Sequence, residues 1–318
     1  MPLPGGRKAG GRKRQKNHPL IRRNHPLVWK NMKRFNATII LTCSAVLLCL
    51  LLAACTGSGS PKSESGSIGT VIPDSTERST PASGTAEANT EGRVSLELTL
   101  ANFNIKHGAE GLENVAQAIR EIAPDIIGLE EVDIGTERSG GADEAAELAR
   151  LAGFSYYVFA KAIPLGAGEY GTAILSRYPI ESFEVTPLES GNGEDRSVGH
   201  AVINVQGLKL DVFVTHLSFE DRGVRIEQMK TIAGMSKKCK YYALMGDLNS
   251  FDLNDIAYLE GEYFVNRPDR RYGTFRNLNF SPDNIVVSRG FTELSSGISD
   301  RIASDHRLLY AVFRFEEE

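Results

Sequence analysis

Pro124-Asp125-Ile126-Ile127-Gly128-Leu129-Glu130-Glu131-Val132 decides how the folded part of this chain is read. Proline cannot continue a helix, so Pro124 closes the element before it. The apolar run that follows is too short for a helix and stops on two adjacent carboxylates, which reads as a buried strand with charged groups at its end. Upstream, Leu112, Val115, Ala116, Ile119 and Ile122 recur at helical spacing. Further upstream, Val94, Leu96, Leu98 and Leu100 alternate with smaller or polar residues and lead into Asn102-Phe103-Asn104-Ile105. Strand, helix and buried strand in succession predict an α/β fold.

Downstream a second helix is expected over 142–152, followed by strands at Tyr156–Ala160, Gly171–Ser176, His200–Val205 and Leu208–Thr215. A helix around 220–236 turns Val224, Met229, Ile232 and Met235 inward, and a strand at 241–246 ends in Gly246-Asp247-Leu248-Asn249. Two more strands fall near Asn284–Ser288 and Leu308–Phe313. This order predicts two sheets face to face with helices outside, and no internal repeat is present.

The sequence has 318 residues and a net charge of −4, distributed unevenly. Residues 1–36 carry eleven Lys or Arg and no acid, whereas 93–318 holds 23 basic and 35 acidic side chains. A body of net charge −12 excludes a generally cationic nucleic-acid binder, and its apolar content excludes disorder. Residues 38–54 form an apolar run behind Lys33-Arg34 that ends in small residues, the form of an export signal. Met32 reads as its start, which would leave 1–31 outside the translated chain. Leu52-Ala53-Ala54-Cys55 resembles a bacterial lipobox, and the resemblance implies cleavage at Cys55 and lipidation of its thiol. The protein is then expected outside the cytoplasm, anchored to the outer face of the bacterial cytoplasmic membrane or on the periplasmic side of an envelope membrane. Residues 55–92, rich in Ser, Thr, Gly, Pro and Glu, read as a disordered tether spanning roughly a few tens of ångströms. Processing would leave Cys239 without an intrachain partner, and its place beside an apolar run makes it a packed thiol.

Polar residues collect at the strand ends. Asn104, Glu131, His216, Asp247, Asn249, Asp305 and His306 all stand at or just beyond apolar strands, where a shared rim brings side chains distant in sequence together. His107 sits in a loop and His200 opens a strand, and both are weaker candidates than His216 and His306, which lie beside buried strands.

Seven segments appear in order: Asn102-Phe103-Asn104-Ile105, Ile127-Gly128-Leu129-Glu130-Glu131-Val132, Tyr170-Gly171-Thr172-Ala173-Ile174-Leu175-Ser176-Arg177, Thr215-His216-Leu217, Gly246-Asp247-Leu248-Asn249, Asp283-Asn284-Ile285 and Ser304-Asp305-His306. Together they resemble the endonuclease/exonuclease/phosphatase superfamily, the deoxyribonuclease I-like fold, across 93–318. The resemblance implies a four-layer α-β-β-α sandwich of two mixed sheets and divalent-metal-dependent phosphoester hydrolysis. It implies Mg²⁺ as the cofactor, with Mn²⁺ or Ca²⁺ as substitutes and one or two ions. Glu131 would be the first ligand, Asn104 a neutral oxygen donor, and Asp305 the holder of a second ion or a metal-bound water. The resemblance pairs Asp283 with His306, places Asp247 near the nucleophile, and leaves open which group removes the proton. Asn249 would donate to a phosphoryl oxygen and His216 would face the phosphate, oriented by Glu169. Arg196 reads either as a phosphate fork or as an ion-pair partner of Glu194 or Asp195. Two positions depart from the pattern: Glu130 stands where Gln is usual, placing a negative charge beside the metal or pointing outward, and Asn284 where an aromatic is common.

The superfamily includes nucleases, sphingomyelinases and inositol-phosphate phosphatases, so the fold does not choose a substrate. A nuclease-like phosphodiesterase at the membrane surface, acting as a monomer by in-line attack of water, is the leading expectation. A phospholipid or sphingomyelin phosphodiesterase or an inositol-phosphate-type phosphatase is the alternative, and a catalytically silent phosphate-binding module the remote one. Arg267, Arg270, Arg271 and Arg276, interleaved with Tyr263, Phe264, Tyr272 and Phe275, form either a groove for a phosphodiester strand or an ordinary solvated loop.

Overall fold

The computed structural model describes residues 64–70, 87–88, 94–250, 252–255, 258–259, 263–275 and 280–316. The basic leader, the apolar run, Cys55 and most of the expected tether lie outside these residues. Among the described residues, no helix is long and apolar enough to cross a membrane.

The elements are β1 (Glu64–Ser65), β2 (Ile68–Thr70), β3 (Glu87–Ala88), β4 (Val94–Asn104), α1 (Leu112–Ile122), β5 (Ile126–Ile134), α2 (Glu144–Ala152), β6 (Tyr156–Leu165), β7 (Gly168–Ser176), β8 (Ile180–Leu188), β9 (Arg196–Val205), β10 (Leu208–His216), α3 (Arg222–Ser236), β11 (Tyr242–Asp247), β12 (Tyr263–Phe264), β13 (Asp283–Val287), β14 (Phe291–Ile298) and β15 (Leu309–Glu316). One sheet has the order β1-β8-β9-β10-β11-β13-β12, the other β14-β15-β4-β5-β7-β6-β2, with β3 paired to β4. Both are mixed: β4 runs parallel to β5 and β10 parallel to β11, among otherwise antiparallel neighbours.

Side-chain alternation explains the layers. Ile126 of β5 points between the sheets, while Ile127 and Leu129 pack with Val115 and Ile119 of α1 and Leu148 of α2. In the other sheet Val212, Val214, Ala243 and Met245 face inward, while Phe213, Tyr242 and Leu244 meet Met229 and Ile232 of α3. Strands covered on both faces read as unbroken apolar runs, as these do. The result is α1 and α2, sheet, sheet, α3: the expected four-layer α/β sandwich. The inter-sheet gap narrows at Gly128, where an added Cβ would lie 2.9 Å from Met245 Cβ.

Helix ends follow local chemistry. Ala123 adopts φ 52°, closing α1 immediately before Pro124. Asp143 caps α2 by accepting from Ala146 N at 2.9 Å, so the helix begins at Glu144 rather than 142. Asp221 caps α3 in the same way through Val224 N at 3.0 Å.

Part of the expected disordered tether is ordered. Residues 64–70 lie against an edge of each sheet, β1 on β8 and β2 on β6, and Gly66 N donates to Phe183 O at 3.2 Å. A Cβ at Gly66 would come within 2.3 Å of the Phe183 ring, and one at Gly69 within 2.1 Å of the Tyr157 ring. Main-chain hydrogen bonds and contact with aromatic faces hold this strap, which is why its polar composition concealed it.

Candidate active site

Three neighbouring strand ends form one wall. His216 lies opposite Asp247 across the parallel β10–β11 pair, and Asp247 opposite Asp283 across β11–β13. On the facing sheet Asn104 lies opposite Glu130. The two rims are joined by the Asn104 amide, whose Nδ2 donates to Asp247 Oδ2 at 3.2 Å and to Glu131 Oε1 at 3.0 Å. The loop before β15 adds His306, whose Nδ1 is 2.8 Å from Asp283 Oδ2 and whose Nε2 is 3.7 Å from Asp247 Oδ2.

A bulge in β5 separates the two adjacent glutamates. The β5–β7 register shifts between Leu129 and Val132, and Glu131 takes φ 55° there. Glu131 thereby opens into the cleft. Glu130 turns into the interior, where its Oε2 accepts from Asn102 Nδ2 at 3.1 Å. Burial, reinforced by the charges of Asp283 and Asp247, holds the Glu130 carboxyl well above the usual carboxylate range. Of the two readings of Glu130 given by the sequence, the outward one fails, because the side chain is buried in the interior. Asn284 replaces the expected aromatic by bonding with Asn266, donating to its carbonyl at 2.9 Å and accepting from its N–H at 2.9 Å.

The two histidines are driven in opposite directions. Burial opposes charge on His306, but the charge and hydrogen bond of Asp283, with Asp247 and Asp305, outweigh it and raise its pKa to about 10. Burial pushes His216 down to about 3, against the pull of Asp247 3.5 Å away. One imidazole is thus cationic and the other neutral at neutral pH, with their Nε2 atoms 3.7 and 3.5 Å from the same Asp247 oxygen.

These groups open on a cleft of about 470 Å³. Of the residues expected at the site, Glu131, Arg196, His216, Asp247, Asn249 and His306 line it, with Asn104 and Asp283 bonded to them from beneath. Asn249, at φ 47°, receives its own position from Asp247 Oδ1, which accepts its N–H at 3.0 Å, and its Nδ2 donates to Leu217 O at 3.0 Å. Arg196 pairs with Glu194 at 2.8 Å, as one of its readings had it, but it is only 3% exposed and lines the cleft rather than the open surface.

Two expected residues stand elsewhere. Glu169 does not orient His216: it pairs with Lys161 at 2.8 Å and lines a separate groove beside the strap, and His216 Nδ1 is buried without a partner. The cause is alternation along β7, which turns the adjacent Tyr170 toward the cleft instead. Asp305 is taken by Lys106, whose Nζ lies 2.6 Å from its Oδ2 and holds its carboxyl below the usual range despite burial. Of the basic cluster that the sequence left open between a groove and a solvated loop, Arg276 lies outside the described residues. Arg270 is bonded to Glu293, and Arg267 to Asp269 and the Tyr263 hydroxyl, so their charges are spent within the protein.

The sequence reading missed Arg138, Ile163, Leu165 and Phe219 in the cleft lining, and named Glu194 only as an ion-pair partner and Phe275 only as part of a possible groove. Phe219 alone carried a signal, as an aromatic just beyond Thr215-His216-Leu217. Arg138 is held by a buried carboxylate, Asp133, at 2.6 Å, in a loop with no periodic pattern.

Residues 101–306 match the model of the Endonuclease/Exonuclease/phosphatase family. The chain belongs to this family. Among solved structures it is similar to an endonuclease/exonuclease/phosphatase from Beutenbergia cavernae, at 23% identity and TM-score 0.60, over 69% of this chain and 72% of that one. It is also similar to TDP2 of D. rerio complexed with a single strand DNA product, at 17% identity and TM-score 0.54, over 68% and 98%. A third is the mannosyl-6-phosphatase of Bacteroides thetaiotaomicron, at 16% identity and TM-score 0.53, over 68% and 99%. Among curated proteins, none matches the sequence. Family membership and fold together make the protein a phosphoesterase.

Proposed function

We propose that the protein hydrolyses a phosphodiester of nuclease-like type by in-line attack of water, with a divalent cation at the cleft. The observation that carries this reading is the convergence of Glu131, Asp247, His216 and the Asp283–His306 pair on one opening. The donor set fits a hard cation: Glu131 and Asp247 offer carboxylate oxygens, while Asn104 turns its Nδ2 to both and its Oδ1 accepts from Lys106 N at 3.1 Å, and His306 is the cation set against Asp247 and Asp283. Glu131 would hold Mg²⁺, or Mn²⁺ or Ca²⁺ in its place, and Asn104 would join it only with its amide turned to present the oxygen. When bound, the ion supplies neutralisation of phosphoryl charge and stabilisation of the leaving oxygen.

The protein's own groups divide the remaining work. His306, a cation locked by Asp283, donates to a phosphoryl oxygen as charge builds there. Asp247, between the two imidazoles, accepts the proton of the attacking water. His216 remains neutral and donates from Nε2. Asn249 has one amide hydrogen on Leu217 O and the other to give to the phosphate. Arg196 grips a second oxygen while Glu194 holds it in place.

The apolar side of the cleft favours a second reading within the same chemistry. Ile163, Leu165, Phe275 and Phe219, the last 65% exposed, flank the charged end where a cationic groove would suit a long nucleic acid. A phospholipid-type phosphodiester fits that wall, and the lipobox-like Cys55 would place the enzyme at the outer membrane surface beside it. Rates on DNA, RNA, sphingomyelin, inositol phosphates and a chromogenic phosphodiester, each with Mg²⁺ and with chelator, test the proposal. Glu131→Gln should raise the Mg²⁺ concentration needed for half-maximal rate, and an unchanged titration removes Glu131 from the ligand set. Binding of phosphate esters with no product in any assay would replace the enzyme by a silent module.

A further inference from the structure

His200, Asp211 and Cys239 take no part in the cleft, yet three separate elements bring them to one point. His200 is in β9, Asp211 near the start of β10, and Cys239 in the turn between α3 and β11. His200 Nε2 lies 2.7 Å from Asp211 Oδ1, and the imidazole nitrogen, carboxylate oxygen and Cys239 Sγ all fall within 4.8 Å of one another. All three residues are partly exposed, so the point is open to solvent.

Each donor is held in place. The His200 ring stacks on Phe213 at 4.3 Å and 11°, which fixes its plane. The Asp211 strand is anchored through its N–H, which donates to Tyr241 O at 3.1 Å. Cys239 N donates to Ser236 O at 2.9 Å, tying the thiol to the last turn of α3.

We infer that His200, Asp211 and Cys239 form a Zn²⁺ site that fastens the C-terminal end of α3 to its sheet. The donors decide the metal. Thiolate and imidazole with one carboxylate suit a borderline-soft ion, where Mg²⁺ and Ca²⁺ demand oxygen. Zn²⁺ bond lengths near 2.0–2.3 Å put tetrahedral ligand atoms roughly 3.3–3.7 Å apart, so the imidazole and carboxylate open slightly and the thiol closes slightly. Water takes the fourth position. Without metal, burial and the Asp211 charge push the thiol up to about 12, with Lys238 acting the other way. Binding therefore releases the thiol proton to solvent, and the ion replaces it as the partner of Asp211. Cys239, free among the described residues, gains through the ion a cross-link between helix and sheet.

The test is Co²⁺ and Zn²⁺ binding to the full chain. Co²⁺ should give a thiolate-to-cobalt charge-transfer band that Zn²⁺ abolishes. The cleft contains no sulfur and contributes no such band. Cys239→Ser should remove the band with the other three cysteines intact, and His200→Ala or Asp211→Asn should weaken Zn²⁺ binding by more than ~10-fold. Zn²⁺ should raise the melting temperature of the unsubstituted protein and not of Cys239→Ser, with phosphoesterase activity equal in the two. His306→Ala should keep the band, which separates this site from the cleft. A band that survives Cys239→Ser, or no band at saturating Co²⁺, overturns the inference.

Discussion

His306 Nδ1 and Asp283 Oδ2 are 2.8 Å apart in the interior, and the other oxygen of Asp283 accepts from Asn102 Nδ2 at 3.2 Å. A carboxylate held at both oxygens cannot turn away from the imidazole. It fixes the ring with Nε2 directed to Asp247 and keeps it protonated. Asp283→Asn preserves the shape and removes that charge. The turnover number should fall by about 10²–10⁴, with a smaller effect on KM. In the metal-free protein, the His306 ring resonances should titrate near 10, and in Asp283→Asn distinctly lower. Because the folded value lies above the ordinary 6.5, stability from the protonated ring is complete below pH 6.5 and is lost as pH rises through about 10. Equal His306 titrations in the two proteins would break the link between the pair and its charge.

Glu144, buried with its Oε2 accepting from Asp133 N at 2.8 Å, predicts how stability changes with pH. Burial raises its pKa from 4.5 to about 7, against the help of that hydrogen bond. A raised acid contributes stability in full below the unfolded value and loses it as pH climbs through the folded one. Unfolding free energy should therefore drop between about pH 4.5 and 7, by roughly 3 kcal/mol for this group. Glu144→Gln should flatten that part of the profile and be the more stable protein at pH 8. Parallel profiles from urea denaturation would contradict this.

The strap offers a test away from the chemistry. Gly69→Ala places a Cβ 2.1 Å from the Tyr157 ring, and Gly66→Ala one 2.3 Å from the buried Phe183 ring. Either substitution should free the strap, at a cost of about 1–3 kcal/mol limited by what its docking contributes. Limited proteolysis should then cut within 64–70 much faster, while turnover stays within about twofold because no cleft residue moves. Unchanged protection would mean that the rings yield to the new methyl groups.

The sequence was most legible where both faces of a strand are covered. Ile126–Leu129, Val212–Val214 and Ala243–Met245 are apolar throughout, and two residues beyond each stands one that lines the cleft, Glu131, His216 and Asp247. Helix positions were legible from spacing and the end of α1 from Pro124, whereas the Asp143 cap that starts α2 was not read. β8 and β14 were missed because Glu181, Glu184 and Pro187, or Thr292 through Gly297, dilute the alternation on weakly covered strands. The bulge at Glu131 was invisible because pattern reading assumes an unbroken register, so the opposite fates of Glu130 and Glu131 needed coordinates. Glu169 was misplaced for the same kind of reason, as a one-residue choice of face on β7. Phe219 and Arg138 belong to loops, whose positions no periodicity specifies.

The most direct test of the central claim is hydrolysis of a chromogenic phosphodiester by the full chain, with added Mg²⁺ or chelator, compared with His306→Ala. Turnover should require the divalent ion and fall to background in the variant, with the circular dichroism spectrum unchanged. Hydrolysis that persists in chelator, or that proceeds equally in His306→Ala, would contradict the assignment of this cleft as the catalytic centre.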